Sequence, residues 1–540
     1  MGIKDQQSSE TKQQQKRLVC CLFLIASCRA QVYGPSASEI TSLPLWDGDL
    51  PSPQYSGYII IPGTTKHMFY NLIVSEGNPA SDPLVVSIPG GPGESSTGMP
   101  TGPFTFKNIF ADANTPQLVP DSVYLTPNPY SWTQAASLLY MDPTAGVGYS
   151  YSLSPDDYSY NDTQAQIDMQ ITLRTWFREY PYFANHSVFL DGLPTTVTVR
   201  CHVAIEPSSW MMLLRLQGYL LRNPATDSST DNLNIYDVLA WRPLIPQTLS
   251  DQLTQYNCGT LSNPIDADEL MFTGDNDTEG TCARLQSWCR VQVSICTDLS
   301  SEVEAYIGYN INSINWVDDC FYGMASFISA LYAQVQQDLA RQGIQYSQSL
   351  AGVAGGGAGS SGQAGCNPDD RAFHMYYNMP AVRDAMHAAP IQSEAGLFLA
   401  LNPRIQSIYT YNVKSVVPQH QFLIDRGVRV LAYSGDLDWQ VPWTGTQHWT
   451  NGIGADLQLH QVWQAWFRPD PMKFGPQLCG FLTEWDGLAF ATVKAAGHSV
   501  ISDQPEASLL LYSAFLADNL ASLTNYTSYP GGTRAIIGIQ

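Results

Sequence analysis

Basic side chains are scarce in this chain. Lysine and arginine number 26 against 48 aspartates and glutamates, a formal charge of −22 over 540 residues. A surface of that sign repels a phosphate backbone, so nucleic acid is excluded as a partner. It suits solubility in an acidic compartment, where many carboxylates are neutral. Long apolar runs are also missing. The longest, Leu18 to Ala26, falls far short of the roughly 20 residues that a membrane span needs. No Cys-x-x-Cys pair occurs, and the cysteine-rich stretch from Cys258 to Cys320 holds no histidine. Zinc is therefore a weaker reading of that stretch than disulfides. No motif calls for a metal or a cofactor.

What is present at the N-terminus reads as a secretory signal over residues 1–30. Lys4, Lys12, Lys16 and Arg17 precede the short apolar run, and Ala30 offers a small residue for cleavage. A membrane anchor is the alternative, and the run is too short for one. Without this segment the chain carries no span, and its charge is near −25. Cys20, Cys21 and Cys28 leave with it, so eleven cysteines become eight. An even number fits an oxidising compartment with disulfides. Four sequons, at Asn161, Asn185, Asn276 and Asn525, fit glycosylation along the same route. No endoplasmic-reticulum retention signal closes the chain. The expected address is the secretory pathway, either extracellular or in a vacuole or lysosome. Oligomeric state is not legible.

Length alone suggests about three or four domains, but the punctuation points to one α/β core with an insertion. Tyr55–Ile61 and Met68–Val74 read as a hairpin, and Leu84–Ile88, Leu138–Asp142, Val188–Leu190 and Val428–Ser434 read as buried strands. Asp162–Tyr180 predicts an amphipathic helix, with Met169, Leu173, Trp176, Phe177 and Tyr180 on one stripe. Pro505 suits the first turn of a final helix whose Leu509, Leu510, Tyr512, Phe515 and Leu516 pack inward. Residues 228–365 differ: they are polar, hold most of the cysteines and end in a Gly/Ser/Ala linker at 351–365. The core is thus expected at 31–227 and 366–540, with 228–365 as a cap.

Two loops near the C-terminus carry chemistry. Gly435-Asp436-Leu437-Asp438 follows one apolar run, and Ala495-Ala496-Gly497-His498 follows another at Phe490–Ala495. An acid and an imidazole in that order are two members of the Ser…Asp…His series found in α/β-hydrolases. Asp438 suits the role better than Asp436 because of its Gly-x-x-Asp spacing. A third loop, Pro89-Gly90-Gly91-Pro92-Gly93-Glu94, also follows a strand, and its amides can line an oxyanion hole. An ordinary Gly-Pro turn is the alternative.

These loops occur together with Asn128-Pro129-Tyr130-Ser131-Trp132, Leu139-Tyr140-Met141-Asp142, Gly146-Val147-Gly148-Tyr149-Ser150 and Asn223-Pro224-Ala225-Thr226-Asp227. The set resembles the serine carboxypeptidase family from about Tyr55 to Phe515. The resemblance implies an α/β-hydrolase fold with a mostly parallel sheet and a disulfide-containing cap. It also implies removal of C-terminal residues from peptides at acidic pH. On it, Asp438 orients the imidazole, His498 is general base and then acid, Gly91 serves the oxyanion hole and Gly90 contacts substrate.

Departures are as informative. Where the family has Gly-Glu-Ser-Tyr-Ala-Gly, this chain reads Gly192-Leu193-Pro194-Thr195-Thr196-Val197. Pro194 stands at the nucleophile position, with no hydroxyl and with φ locked near −65°. Thr195 is β-branched, and Ser208 and Ser209 lie too far along the chain. Pro89, Leu193 and Pro100 replace an asparagine and two glutamates that in the family hold the substrate's terminal carboxylate. Glu94 replaces a cysteine. The match breaks off over 191–216 and resumes at Gly218, the pattern left by a mis-assigned exon or a local frameshift. Three functions follow: a serine carboxypeptidase whose nucleophile is obscured, an inactive hydrolase-fold binding protein, and an acyltransferase on the same scaffold. The ligand is a peptide or an acyl compound in each case.

Overall fold

The structure is a computed structural model. It describes residues 31–108, 123–192, 215–231, 234–256, 258, 295–296, 298–303, 305–306, 369–391, 396–469 and 475–524. The strands in chain order are β1 (Glu39–Ile40), β2 (Gln54–Ile60), β3 (Lys66–Ile73), β4 (Leu84–Ser87), β5 (Phe104–Asn108), β6 (Val123–Pro127) and β7 (Ser137–Met141). There follow β8 (Tyr151–Ser152), β9 (Val188–Gly192), β10 (Leu216–Arg222), β11 (Arg429–Gly435), β12 (Leu459–Arg468), β13 (Gln477–Trp485) and β14 (Leu488–Val493).

Apolar runs form the middle of one sheet, in the order β1-β2-β3-β7-β4-β9-β10-β11-β14-β13-β12, with β8 against β3. The six strands from β7 to β14 in that order pair in parallel, and the flanking pairs are antiparallel. Strands buried on both faces need no alternation of apolar and polar residues, which explains Leu84-Val85-Val86 and Val188-Phe189-Leu190. One face packs on the helix Asp162–Glu179 through Met169, Leu173 and Trp176, and the other packs on the helix Pro505–Leu516. β5 and β6 form a separate ribbon.

All five residues predicted to pack inward on the final helix meet the core, Tyr512 and Phe515 buried and Leu516 half-buried. Leu509 and Leu510 are only half-buried, whereas Ala507, Leu511, Tyr512, Ala514 and Phe515 are buried. Small Ala507 and Ala514 let the backbone lie close to the sheet, and Tyr512 stacks on Trp132 at 3.9 Å between ring centres.

In the stretch expected as a cap, the helices Ile235–Trp241 and Gln247–Gln255 form a small apolar cluster with Val303. Cys258 and Cys296 form a disulfide. Trp439, next to Asp438, packs against this cluster. The linker at 351–365 lies outside the described residues. Among the described residues no helix is long and apolar enough to cross a membrane.

Candidate active site

Parallel strands place their following loops on one edge, and that edge is where open α/β sheets bind ligands. β11 and β14 are neighbours in register, Val430 opposite Leu488 and Gly435 opposite Val493. Their loops therefore leave side by side. Gly435 allows the approach: a Cβ there would lie 2.1 Å from the Gly497 carbonyl oxygen and 2.3 Å from that of Ala496. Asp436 ties the loops together, its Oδ1 accepting from the Ala495 amide at 2.7 Å. Ala495 is held at φ +58°, a costly conformation for a residue with a side chain. Asp503 Oδ2 accepts from the Gly497 amide at 2.6 Å.

These constraints bring His498 to Asp438. Imidazole Nδ1 donates to Asp438 Oδ2 at 2.7 Å, which leaves Nε2 for proton transfer. Asp438 is fully buried. Its carboxylate also accepts from Asn223 Nδ2 at 2.6 Å, from the Gln440 amide at 2.9 Å and from the Val441 amide at 3.2 Å. Four donors nearly fill the acceptor capacity of a carboxylate. Burial pulls the His498 pKa down, but the Asp438 charge and hydrogen bond outweigh it and hold the imidazole above its ordinary value.

The glycine-rich loop rises from β4 on the same edge. Gly91 has φ +109°, and a Cβ there would meet the Gly93 amide nitrogen at 2.7 Å. Asp142 anchors the end of the loop. Its Oδ1 accepts from Ser95 Oγ at 2.6 Å and from the Ser96 amide at 3.1 Å, while Oδ2 takes the Tyr149 amide at 3.1 Å. Burial pushes the Asp142 pKa up to about 6 against these bonds. Glu94 folds back so that its Oε2 accepts from the Gly90 amide at 3.2 Å. Burial raises its pKa, and Arg222 and His498 both act on its charge.

A model of the serine carboxypeptidase family matches residues 44–518. The chain belongs to the serine carboxypeptidase family. Serine carboxypeptidase-like 21 of Arabidopsis thaliana is 27% identical over 526 residues, covering 89% of this chain and 94% of that protein. Serine carboxypeptidase 1 of Hordeum vulgare is 27% identical over 497 residues, covering 89% and 93%. A prohormone-processing carboxypeptidase of Saccharomyces cerevisiae has a similar structure, with TM-score 0.61 and 13% identity over 90% of this chain and 97% of that one. The fold is the α/β-hydrolase fold.

Within this family member the structure joins Asp438 to His498 and places the Gly90–Glu94 loop on the same edge of the sheet, while Asp436 serves the loops and not the imidazole. Pro194, Leu193 and the alternative hydroxyls Thr195, Ser208 and Ser209 lie outside the described residues. So do Asn276 and Asn525. Asn161 caps the helix Asp162–Glu179, its side-chain oxygen accepting from the Gln164 amide at 2.9 Å, and Asn185 is exposed at the end of a short helical turn.

Sequence reasoning assigned no role to Asn223, which holds Asp438, or to the buried pair Asp191–Arg222. That pair joins the ends of two parallel strands, with Arg222 Nη2 3.2 Å from Asp191 Oδ2. Ser87 Oγ donates to the same oxygen at 3.1 Å. The available signal was a charge ending each of two apolar runs, Val188-Phe189-Leu190-Asp191 and Tyr219-Leu220-Leu221-Arg222.

Proposed function

We propose that this chain is a serine-carboxypeptidase-type hydrolase of the secretory pathway that releases C-terminal residues from peptides by acyl transfer. The observation that carries the reading is the His498 Nδ1–Asp438 bond of 2.7 Å, built on a buried carboxylate with three further donors. In the proposed mechanism a hydroxyl attacks the scissile carbonyl and His498 Nε2 takes its proton. The Gly91 amide helps hold the oxyanion, and the imidazolium, stabilised by Asp438, returns the proton to the leaving amine. Water then releases the acyl group by the same path. An acyltransferase differs only in replacing that water with another acceptor. The secretory address is supported by the pattern of residues 1–30 and by the sequons.

Pro194 supports a second reading, a hydrolase-fold protein that binds peptides or acyl compounds without turnover, because proline carries no attacking oxygen. Sequencing the transcript across codons 185–220 and treating the secreted protein with a fluorophosphonate separates the two. A Gly-x-Ser-x-x-Gly reading after Leu190, with labelling that His498→Ala abolishes, supports the hydrolase. A confirmed Pro194 with no labelling overturns it in favour of the binding protein.

A further inference from the structure

We propose that Trp439 is a positioning residue. It anchors the Asp438 carboxylate to the helix pair Ile235–Trp241 and Gln247–Gln255, and so holds the His498 ring in the tautomer that leaves Nε2 free to take a proton. The inference deepens the reading of Asp438 and His498 as the acid–base couple and rests on it. Trp439 acts through Asp438 and not on a ligand.

The two oxygens of Asp438 have different partners. Oδ1 accepts from the Gln440 amide at 2.9 Å and from the Val441 amide at 3.2 Å. Oδ2 accepts from Asn223 Nδ2 at 2.6 Å and from His498 Nδ1 at 2.7 Å. A carboxylate is planar, so whatever sets Oδ1 also sets the direction in which Oδ2 meets the ring. The bonds to Oδ1 close a turn around Trp439, because they join residue 438 to residues 440 and 441 across it. The Trp439 side chain packs into the apolar cluster of Ile235, Leu239, Leu249 and Leu253. Its Nε1 is buried and has no hydrogen-bond partner among the described residues, so its hold on the cluster is apolar contact. Leu239 and Leu253 are fully buried there, and Cys258, bonded to Cys296, packs against the same cluster. The chain beyond Trp439 is held at a second point. A Cβ at Gly445 would lie 2.4 Å from the Asp231 carbonyl oxygen, so the helix Trp443–Gly454 lies close against the stretch that precedes the helix Ile235–Trp241. A neutral imidazole can carry its proton on either nitrogen, and a fixed carboxylate selects Nδ1–H. A carboxylate released to swing selects less strongly.

The test is the tautomer ratio of His498, read from its ring nitrogen shifts in the full secreted chain with isotopically labelled histidine. It is measured at alkaline pH, once the ring has lost its charge, with His498→Gln to assign the signal. The unaltered ring is expected as Nδ1–H. Trp439→Ala should raise the ratio of Nε2–H to Nδ1–H about tenfold, which corresponds to about 1.4 kcal/mol of selection. Trp439→Phe keeps an apolar ring in the cluster and loses only the unpartnered Nε1, so it should stay nearer the parent than Trp439→Ala. Leu249→Ala loosens the cluster away from the couple and should move the ratio in the same direction. It should add nothing in Trp439→Ala, where the connection is already cut. An unchanged ratio in folded Trp439→Ala overturns the proposal, as does a Leu249→Ala effect of equal size in both backgrounds. Where Trp439→Ala does not fold, an unchanged ratio in Leu249→Ala alone overturns it. The readout needs no nucleophile, so absent fluorophosphonate labelling bears only on the hydrolase reading. A ring found as Nε2–H in the unaltered protein overturns the couple and this proposal with it.

Discussion

Gly435→Ala tests why the acid and the imidazole meet. The added Cβ would lie 2.1 Å from the Gly497 carbonyl oxygen and 2.3 Å from that of Ala496, both backbone atoms that cannot rotate away. Carbon–oxygen contacts close to about 3.3 Å at best, so the two loops must separate by about 1.2 Å. Applied to the 2.7 Å bond between His498 and Asp438, that displacement opens it to about 3.9 Å, beyond hydrogen-bond reach. A hydrogen bond to a charged group contributes about 1.5–3 kcal/mol. Its loss lowers the His498 titration midpoint, because burial then acts with less opposition. The sign for stability follows. A raised histidine pKa stabilises the fold below the unfolded-state value, and that contribution is lost as pH rises through the folded-state value. Gly435→Ala should flatten this dependence. The assay is NMR titration of histidine-labelled protein, with nine histidines to resolve and His498→Gln to assign the signal. Gly452→Ala is the control. It lies exposed in the helix Trp443–Gly454 with nothing within 4 Å of an added Cβ, and it should stabilise by about 0.5–1 kcal/mol. An unchanged His498 midpoint in a folded Gly435→Ala protein refutes the reasoning.

Other expectations concern the wider fold and the chemistry. Lys66 and Asp168 form a buried ion pair at 2.7 Å, with Tyr160 also donating to that carboxylate at 3.1 Å. Lys66→Met should cost about 3–5 kcal/mol in urea unfolding, and adding Asp168→Leu should recover much of it; a single-variant loss under about 1 kcal/mol contradicts the assignment. Burial pushes the Cys479 thiol up to about 11, so it should resist iodoacetamide at pH 8 in the folded protein and react in denaturant, as read by peptide mass mapping. Modification of the folded protein at the unfolded rate would count against burial of that thiol. If His498 is the base, it must be neutral to act. Its raised pKa then predicts that fluorophosphonate labelling slows as pH falls from 8 to 5. A rate that is flat across this range removes His498 from the step.

Local signals predicted what local physics decides. The helix expected at Asp162–Tyr180 spans Asp162–Glu179, because its apolar stripe and its Asn161 cap lie within one stretch of chain. The central strands were legible as unbroken apolar runs. β12 was not: Leu459, His460, Trp463 and Val462 all face solvent, so no burial pattern marks it as a strand. The final helix was legible in its inward-facing residues, but hydrophobicity alone ranks Leu509 and Leu510 with Tyr512 and Phe515, whereas Ala507, Leu511 and Ala514 are more deeply buried than those two leucines. At the sheet edge, Asp438 and His498 could be read because each follows its own strand. Asn223 and Asp438 are 215 residues apart, and no short window reveals that one holds the other. The same holds for Asp191 and Arg222, which look like two isolated charges until the sheet sets β9 beside β10.

The presence of the acid and of the imidazole do not argue equally for catalysis. Removing Asp438 would strip an acceptor from four groups at once: Asn223 Nδ2, the Gln440 and Val441 amides and the His498 ring. Orphaned buried donors are costly, about 1–3 kcal/mol each, so folding alone is reason enough for an aspartate at 438. His498 is different. Its side chain is 20% exposed, and without it the Asp438 carboxylate keeps three donors. Nothing in the packing demands a histidine at that point. Its loop is nonetheless bent to deliver it, with Ala495 at positive φ and two carboxylates, Asp436 and Asp503, fixing the backbone. Strain sustained around a dispensable ring is a sign of use. Asp438→Asn should therefore lower stability by more than His498→Gln, which costs only the one bond to the imidazole, about 1.5–3 kcal/mol and less above the folded-state pKa of the histidine. A stability loss in His498→Gln as large as that in Asp438→Asn would make the couple a folding element and withdraw this support for acyl chemistry.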